Sequence, residues 1–204
     1  SYVYPHALTC FAKERPLNDR SWLVRYRGSE KRLVRYSEVA QLQTSALFYH
    51  HCAHLHAVQS LDFEFIADNV GWMVTPYVPV ATMNPSHPIA DVMRQLITAV
   101  LSFPRVHGAL QSENICWTGN HQQVLVIRHE CPPCDRFRAP TVTNSLKDDL
   151  WAIGVFLYKM LTGHYPVTPL ETVPKGDLVV ATFIDFMLKT NPEERCLPTN
   201  LINH

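Results

Sequence analysis

The chain has 204 residues, 47% of them hydrophobic, which is enough for a sizeable core and excludes a disordered polypeptide. Its 18 basic and 18 acidic residues cancel, so no general electrostatic pull toward nucleic acid or a membrane surface is expected. No apolar run approaches the roughly 18–20 residues that a membrane span needs.

The opening stretch SYVYPHALTCFAKER lacks the charged and apolar regions of a secretory leader. Six cysteines are too few for a dense disulfide framework. Reduced thiols and an intracellular setting, cytoplasmic or nuclear, are therefore expected.

The first β-rich runs are SWLVRYR (21–27) and RLVRYS (32–37), separated by GSEK, whose Gly28 suits a tight turn. From Ser37, apolar residues at Val39, Leu42, Ala46 and Tyr49 keep to one helical face, with Ser37 a fitting N-cap. Further β runs are DFEFIA (62–67) and GWMVTPYV (71–78), the second interrupted by Pro76. PVATMNPSHP reads as a connector.

Beyond it the texture becomes helical. IADVMRQLITAVLSF (89–103) carries Val92, Leu96, Ile97, Val100 and Leu101 on one stripe. ENICW and QVLVIR flank the turn TGNHQ, and a loop with prolines and cysteines fills 130–143. The apolar run DDLWAIGVFLYKMLTG (148–163) predicts a buried helix ending at Gly163. DLVVATFIDFMLKT and PTNLINH predict one more long helix and a short one. Strands first and helices after describe two lobes hinged near residue 78.

At residue 107 the pattern becomes specific. HGALQSEN resembles the catalytic loop His-Arg-Asp-Leu-Lys-Pro-Glu-Asn of eukaryotic protein kinases, matching it at His107, Leu110, Glu113 and Asn114. KDDLWAIGVFLYKMLTGHYPV resembles the kinase segment built around Asp-Val-Trp-Ser-Leu-Gly-Val and a Leu-Thr-Gly-x-x-Pro turn. NPEERCLPT resembles Asp-Pro-x-x-Arg-Pro-Thr, and MVTPYV stands where kinases have the hinge. The resemblance implies an α+β, two-lobed protein-kinase-like fold in a single domain, with a small β-rich N-lobe (1–77) and a trimmed helical C-lobe (78–204).

The same comparison implies that the chemistry is missing. Phosphoryl transfer is positioning plus charge stabilisation by metal ions. Ala109 stands where the kinase loop has its proton-accepting Asp, and a methyl group cannot accept a proton. Gly108 replaces the preceding Arg, and Gln111 the Lys that meets the transferring phosphate. Arg128 occupies the place of the metal-binding Asp of Asp-Phe-Gly, which brings positive charge to the cation's seat.

Asn114 remains as one neutral ligand, too little to hold magnesium. LTCFAKERPLNDR contains no glycine where the Gly-x-Gly-x-x-Gly phosphate loop belongs. Arg35 is aligned with the phosphate-gripping strand Lys, and its helix partner Glu would fall near Leu42, between Gln41 and Gln43. The activation segment, 128–141, is short, and 166–178 leaves little room for the kinase docking helix.

Other residues match structural positions of the family. The resemblance implies that Asp149 accepts hydrogen bonds from the catalytic-loop backbone. Trp151 and Gly154 would serve packing, and His107 would be a core histidine. Arg195 lacks its customary Glu partner, because RAPT puts Thr141 there; a buried guanidinium must then find Glu193, Glu194 or backbone carbonyls, or else lie in solvent. A vestigial hinge (Thr75, Pro76 and Val78) could meet an adenine, with Thr75 as a small gatekeeper.

The implied function is that of a catalytically inactive pseudokinase that needs no cofactor. It would act through a protein partner, such as a true kinase or another signalling protein, as regulator, inhibitor or scaffold. Two other readings compete with it. One is repurposed nucleotide chemistry in the same cleft. The other is a metal- or redox-sensing module built on His50, His51, Cys52, His54 and His56, or on Cys131 and Cys134 with His129 nearby. A His-rich loop and a single Cys pair amount to less than a metal site, so no bound metal is expected.

Overall fold

The computed structural model describes residues 2–3, 7–52, 55, 57–82, 88–118, 124–167, 170 and 174–195. Its N-terminal half is a six-stranded sheet in the order β1-β5-β6-β4-β3-β2. The strands are β1 (Tyr2–Val3), β2 (Ala12–Asn18), β3 (Ser21–Tyr26), β4 (Ser29–Tyr36), β5 (Phe63–Ala67) and β6 (Val70–Pro76). All neighbours are antiparallel except β1 and β5.

Two hairpins are closed by two-residue turns that require left-handed backbone: Arg27–Gly28 between β3 and β4, and Asp68–Asn69 between β5 and β6. Gly, Asp and Asn are the residues that accept such turns most readily. The turn therefore uses Arg27 and Gly28, and the Ser29-Glu30-Lys31 stretch expected to separate the strands already lies in β4. AKERPLN, part of the glycine-free stretch aligned with the phosphate loop, forms β2. Its charged residues and Pro16 suit a sheet edge, which discourages pairing with another chain.

Helix α1 (Val39–Cys52) packs on one face of this sheet. Val34, Tyr36 and Met73 from the strands join Leu42, Ala46, Phe48 and Tyr49 from the helix in one core. The opposite sheet face has its own aromatic core of Phe11, Phe65 and Trp72 with Val24, Leu33 and Val74. Phe11 and Phe65 stack with ring centroids 5.8 Å apart.

The C-terminal half surrounds α3 (Leu146–Thr162), which buries residues on every side, as its unbroken apolar composition requires. The Ser145 hydroxyl caps its start by accepting from the Lys147 N–H, and Gly163 ends it at φ 77°. α2 (Ile89–Leu101) and α4 (Leu178–Met187) pack against it, and a small sheet of β7 (Val80–Thr82), β8 (Ile115–Thr118) and β9 (Leu125–Ile127) lies on the cleft side. β7 was expected to be part of a connector. PTNLINH lies outside the described residues, and among those described between 163 and 177 there is no helix.

Gly154 lets α4 approach α3. A Cβ there would stand 2.9 Å from Leu188 Cδ2 and 3.0 Å from Met187 Cβ. Gly154→Val is expected to cost about 1–3 kcal/mol through overpacking. Urea denaturation checks this; an unchanged midpoint would mean that the α3–α4 contact is not that close.

Candidate functional site

A cleft of about 890 Å³ opens between the lobes. The β2–β3 turn (Asn18 to Ser21), β4, the segment 77–81 and residues 128–131 wall it. The two-residue turn Asp19–Arg20 joins β2 to β3, so the glycine-free sequence forms a hairpin whose first strand has register shifts between Lys13 and Arg15 and between Pro16 and Asn18.

The β4 cation on the cleft side is Arg32, not Arg35. Along β4 the side chains alternate, which puts Arg32 with Val34 and Tyr36 on the α1 face and Arg35 on the other. Arg35 is exposed, while Arg32 is 1% exposed. An alignment three residues off therefore selected the wrong face.

Arg32 makes a two-pronged ion pair with Glu130, its Nη1 lying 2.8 Å from Oε2 and its Nη2 meeting Oε1. Arg32 Nε donates to the Thr75 hydroxyl at 3.3 Å. Burial works against both charges, but the mutual attraction outweighs it: the Arg32 pKa rises and the Glu130 pKa falls. The strand cation is thus satisfied by a carboxylate from the start of the activation segment, and not by one from α1. Thr75 is fully buried and is no part of the cleft wall, so it does not open a pocket for adenine. Val78 does line the cleft, while the Pro76 carbonyl accepts from the Thr75 hydroxyl at 3.2 Å.

The Arg128-His129-Glu130 run is fixed from all sides. The Arg128 side chain lines the cleft. The His129 ring packs away from it, beside His107 (4.6 Å between centroids) and Phe48 (5.2 Å). The Tyr36 hydroxyl donates to the His129 carbonyl, the His129 N–H donates to the Tyr49 hydroxyl, and Gln41 Nε2 donates to the Glu130 carbonyl.

Both histidine rings have their tautomers set by neighbours. His107 Nε2 faces the Arg128 carbonyl at 2.8 Å, so it carries the proton, and His107 Nδ1 accepts from the Ala109 N–H at 3.0 Å. His129 Nε2 likewise faces the His107 carbonyl, and its Nδ1 meets the Ser45 hydroxyl at 2.8 Å. Burial holds both pKa values down against the hydrogen bonds to backbone carbonyls, which favour the charged rings, and the neighbouring His129 adds to the lowering at His107, which is held down the further of the two.

Asn114 keeps its place but has no capacity left for a metal. Its Nδ2 donates to the Ala109 carbonyl, and its Oδ1 accepts from the N–H groups of both Glu130 and Cys131. Gln111 is also committed: it donates to Glu113 and the Pro132 carbonyl, and accepts from the Cys134 N–H. Ala109 is buried beside a separate pocket of about 180 Å³ floored by Asp148 and Asp149.

The residues implied to be structural fall into line. Asp149 accepts from the N–H groups of His107 (2.8 Å) and Gly108 (3.1 Å). Gly108 sits at φ 82°, where a side chain would be strained. Burial pushes the Asp149 carboxyl up to about 6 against the pull of those two N–H donors. Arg195, 1% exposed, donates to the carbonyls of Lys189, Thr190 and Lys147 and lies over the Trp151 ring at 5.0 Å. Three backbone acceptors and an aromatic face replace the missing carboxylate.

Among the described residues, the candidate metal ligands are placed apart. His50 is exposed near Glu64, His51 lies by Arg105, and Cys52 is buried in the N-lobe core. His54 and His56 lie outside the described residues. No group of three or more metal-ligating side chains occurs among the described residues. Cys131 accepts from Arg20 Nη2 at 2.8 Å, and burial raises its thiol to about 11.

Sequence reasoning missed Arg32, Glu130, Tyr49, Ser45 and Arg20. The two-residue alternation in RLVRY would have found the first. The rest depend on contacts between residues far apart in the chain.

No protein-family model matches the chain, and no curated protein matches it. Solved structures do. The chain is similar to the Cydia pomonella granulovirus kinase PK-1, with a TM-score of 0.71, 14% identity and coverage of 96% of this chain and 93% of that one. It is also similar to Rad53 (residues 1–466, solved with AMP-PNP), with a TM-score of 0.75, 17% identity and coverage of 97% of this chain and 65% of that one. Among the described residues, no helix is long and apolar enough to cross a membrane. A β-sheet lobe and a helical lobe joined at a hinge, with catalytic-loop backbone held by a buried Asp, make this a protein-kinase-like fold.

Proposed function

We propose that the chain is a pseudokinase: it does not transfer phosphoryl groups and acts inside the cell by binding a signalling protein as regulator, inhibitor or scaffold. A true kinase is the first partner class to examine, because two kinase-like lobes offer it a surface resembling its own. One observation carries the reading. The place for a metal–phosphate complex is taken by the Arg128 guanidinium and the Arg32–Glu130 pair, while the Asn114 oxygen is saturated by backbone donors.

Several independent requirements of transfer are unmet at once. Ala109 offers no base, and among the residues of the cleft wall no carboxylate stands in the aligned metal position. The balanced net charge favours a protein partner over nucleic acid or a membrane surface.

The test is reconstitution. Crosslinking in the native cell nominates a partner; purified chain is then titrated into purified partner while the partner's activity is followed. The expected result is a change that saturates at a fixed stoichiometry and needs no nucleotide turnover by the chain. If the effect is catalytic, growing with time at substoichiometric chain, the reading is overturned.

A further inference from the structure

Behind the cleft, a stack of aromatic rings joins the two lobes. Phe48 of α1 packs on His107 at 4.7 Å and on His129 at 5.2 Å between centroids, and Phe103 lies 5.3 Å from Phe48. Residues 129 and 130 are also where α1 and β4 hold the other lobe. Gln41, Ser45 and Tyr49, at four-residue intervals on one face of α1, meet the Glu130 carbonyl, the His129 ring and the His129 N–H. From β4, Tyr36 donates to the His129 carbonyl and Arg32 pairs with the Glu130 carboxylate. A single dipeptide thus collects bonds from two elements of the N-terminal half.

The closed stack is a poor place for a charge. His129 is 6% exposed, and a cationic ring there would face a second imidazole and a phenyl ring instead of water. Of the ionisable groups around it, Glu130 favours the cation, but its carboxylate is held by Arg32. Arg105 opposes the cation, and His107 and His129 oppose each other's protonation. Burial keeps the Tyr36 and Tyr49 hydroxyls protonated. The Arg128 guanidinium lies on the cleft side. Asp149, which accepts from the His107 N–H, is raised to about 6 and gains its proton in the folded chain.

The two rings differ in what a proton would do. On His107 it would set an Nδ1–H against the Ala109 N–H that Nδ1 now accepts from. On His129 the Ser45 hydroxyl can turn to accept, so His129 is the ring that titrates first.

The geometry points to an acid-operated latch: a proton on His129 is solvated only when residues 129–130 leave α1 and β4, so acid parts the two lobes while each stays folded. Each half has a core of its own, the two faces of the six-stranded sheet on one side and the packing around α3 on the other. Opening is therefore distinct from unfolding. In the open form the imidazole regains its ordinary affinity, so the population shifts toward that form as pH falls through about 6.5. The device does not depend on whether the chain transfers phosphoryl groups.

Small-angle X-ray scattering and amide hydrogen exchange of the whole chain, at about pH 7.5 and about pH 5.5, test it on either side of the imidazole value. With exchange corrected for the intrinsic effect of pH, the His129 amide should lose protection about tenfold or more at the lower pH, while α3 and β6 keep theirs. The radius of gyration should rise in parallel. His129→Phe, which cannot take up the proton, should stay closed at both pH values, and His129→Gln keeps the test open if the Phe variant does not fold. The proposal is overturned if the parent shows neither change, if α3 loses protection together with His129, or if the folded variant opens as the parent does.

Discussion

Replacing Glu130 with Ala is expected to destabilise the protein by about 3–5 kcal/mol, the usual consequence of removing one member of a buried ion pair. Arg32 is 1% exposed, and without Glu130 the hydrogen-bond partner left to its side chain among the described residues is the Thr75 hydroxyl. The loss is not confined to one lobe. Arg32 belongs to β4 of the sheet and Glu130 to the segment after β9, so the pair ties the lobes together across the cleft. Arg32→Ala should cost a similar amount, because Glu130 would then be the stranded charge.

The double replacement Arg32→Met with Glu130→Leu should recover most of the stability, since apolar residues of similar size remove both desolvation penalties. Urea denaturation of the three variants measures this. If Glu130→Ala shifts the midpoint by less than the equivalent of about 1 kcal/mol, the pair is solvated and the account of the cleft is wrong.

The second large effect is on pH dependence. His107 and His129 have folded pKa values below the ordinary imidazole value of 6.5. As pH falls through about 6.5, the unfolded chain takes up two protons that the native chain refuses, so stability falls. Asp149 acts in the opposite sense. Its carboxyl is raised to about 6 from 3.8, so below pH 6 the native state takes up a proton that the unfolded state does not. The two refused protons outnumber the one taken up, so the net effect of going from pH 6 to pH 5 is a loss of stability.

His129→Phe removes one of the two refused protons and should make stability less dependent on pH over that interval. It also leaves the Ser45 hydroxyl and the His107 carbonyl without their ring partners, a cost of about 1–3 kcal/mol at every pH. The slope is therefore the diagnostic. A variant as acid-sensitive as the parent would show that His129 titrates normally in the fold.

How much of this was legible in the sequence follows from how locally each feature is encoded. The helix over 148–163 was readable because its apolar run and its terminal Gly163 are adjacent in the chain, while its start at Leu146 after the Ser145 cap was not read. The catalytic-loop bond from His107 to Asp149 was readable only through the kinase resemblance, since 42 residues separate the two. β2 was missed because AKERPLN is an edge strand with almost no buried residue, and an exposed strand carries little apolar periodicity.

Arg35 was chosen over Arg32 by motif alignment, where the face of the strand should have decided. For Arg195 the sequence left Glu193, Glu194, backbone carbonyls or solvent open, and which carbonyls come to it depends on how the chain from 189 to 195 folds back on the start of α3. Glu130 looked like one more departure from Asp-Phe-Gly. It proved to be the partner of Arg32 because β4 and the end of β9 meet across the cleft, a juxtaposition that no local pattern announces.

The most direct measurement of the central claim is single-turnover transfer from γ-labelled ATP, with magnesium or manganese, to the chain itself and to a generic protein acceptor. The account predicts no labelled product above that of heat-denatured protein, and none from Ala109→Asp either, because restoring the base leaves Arg128 in the cation's seat and Asn114 bound to backbone. Label transferred by highly purified parent protein and lost in Asn114→Ala would contradict it.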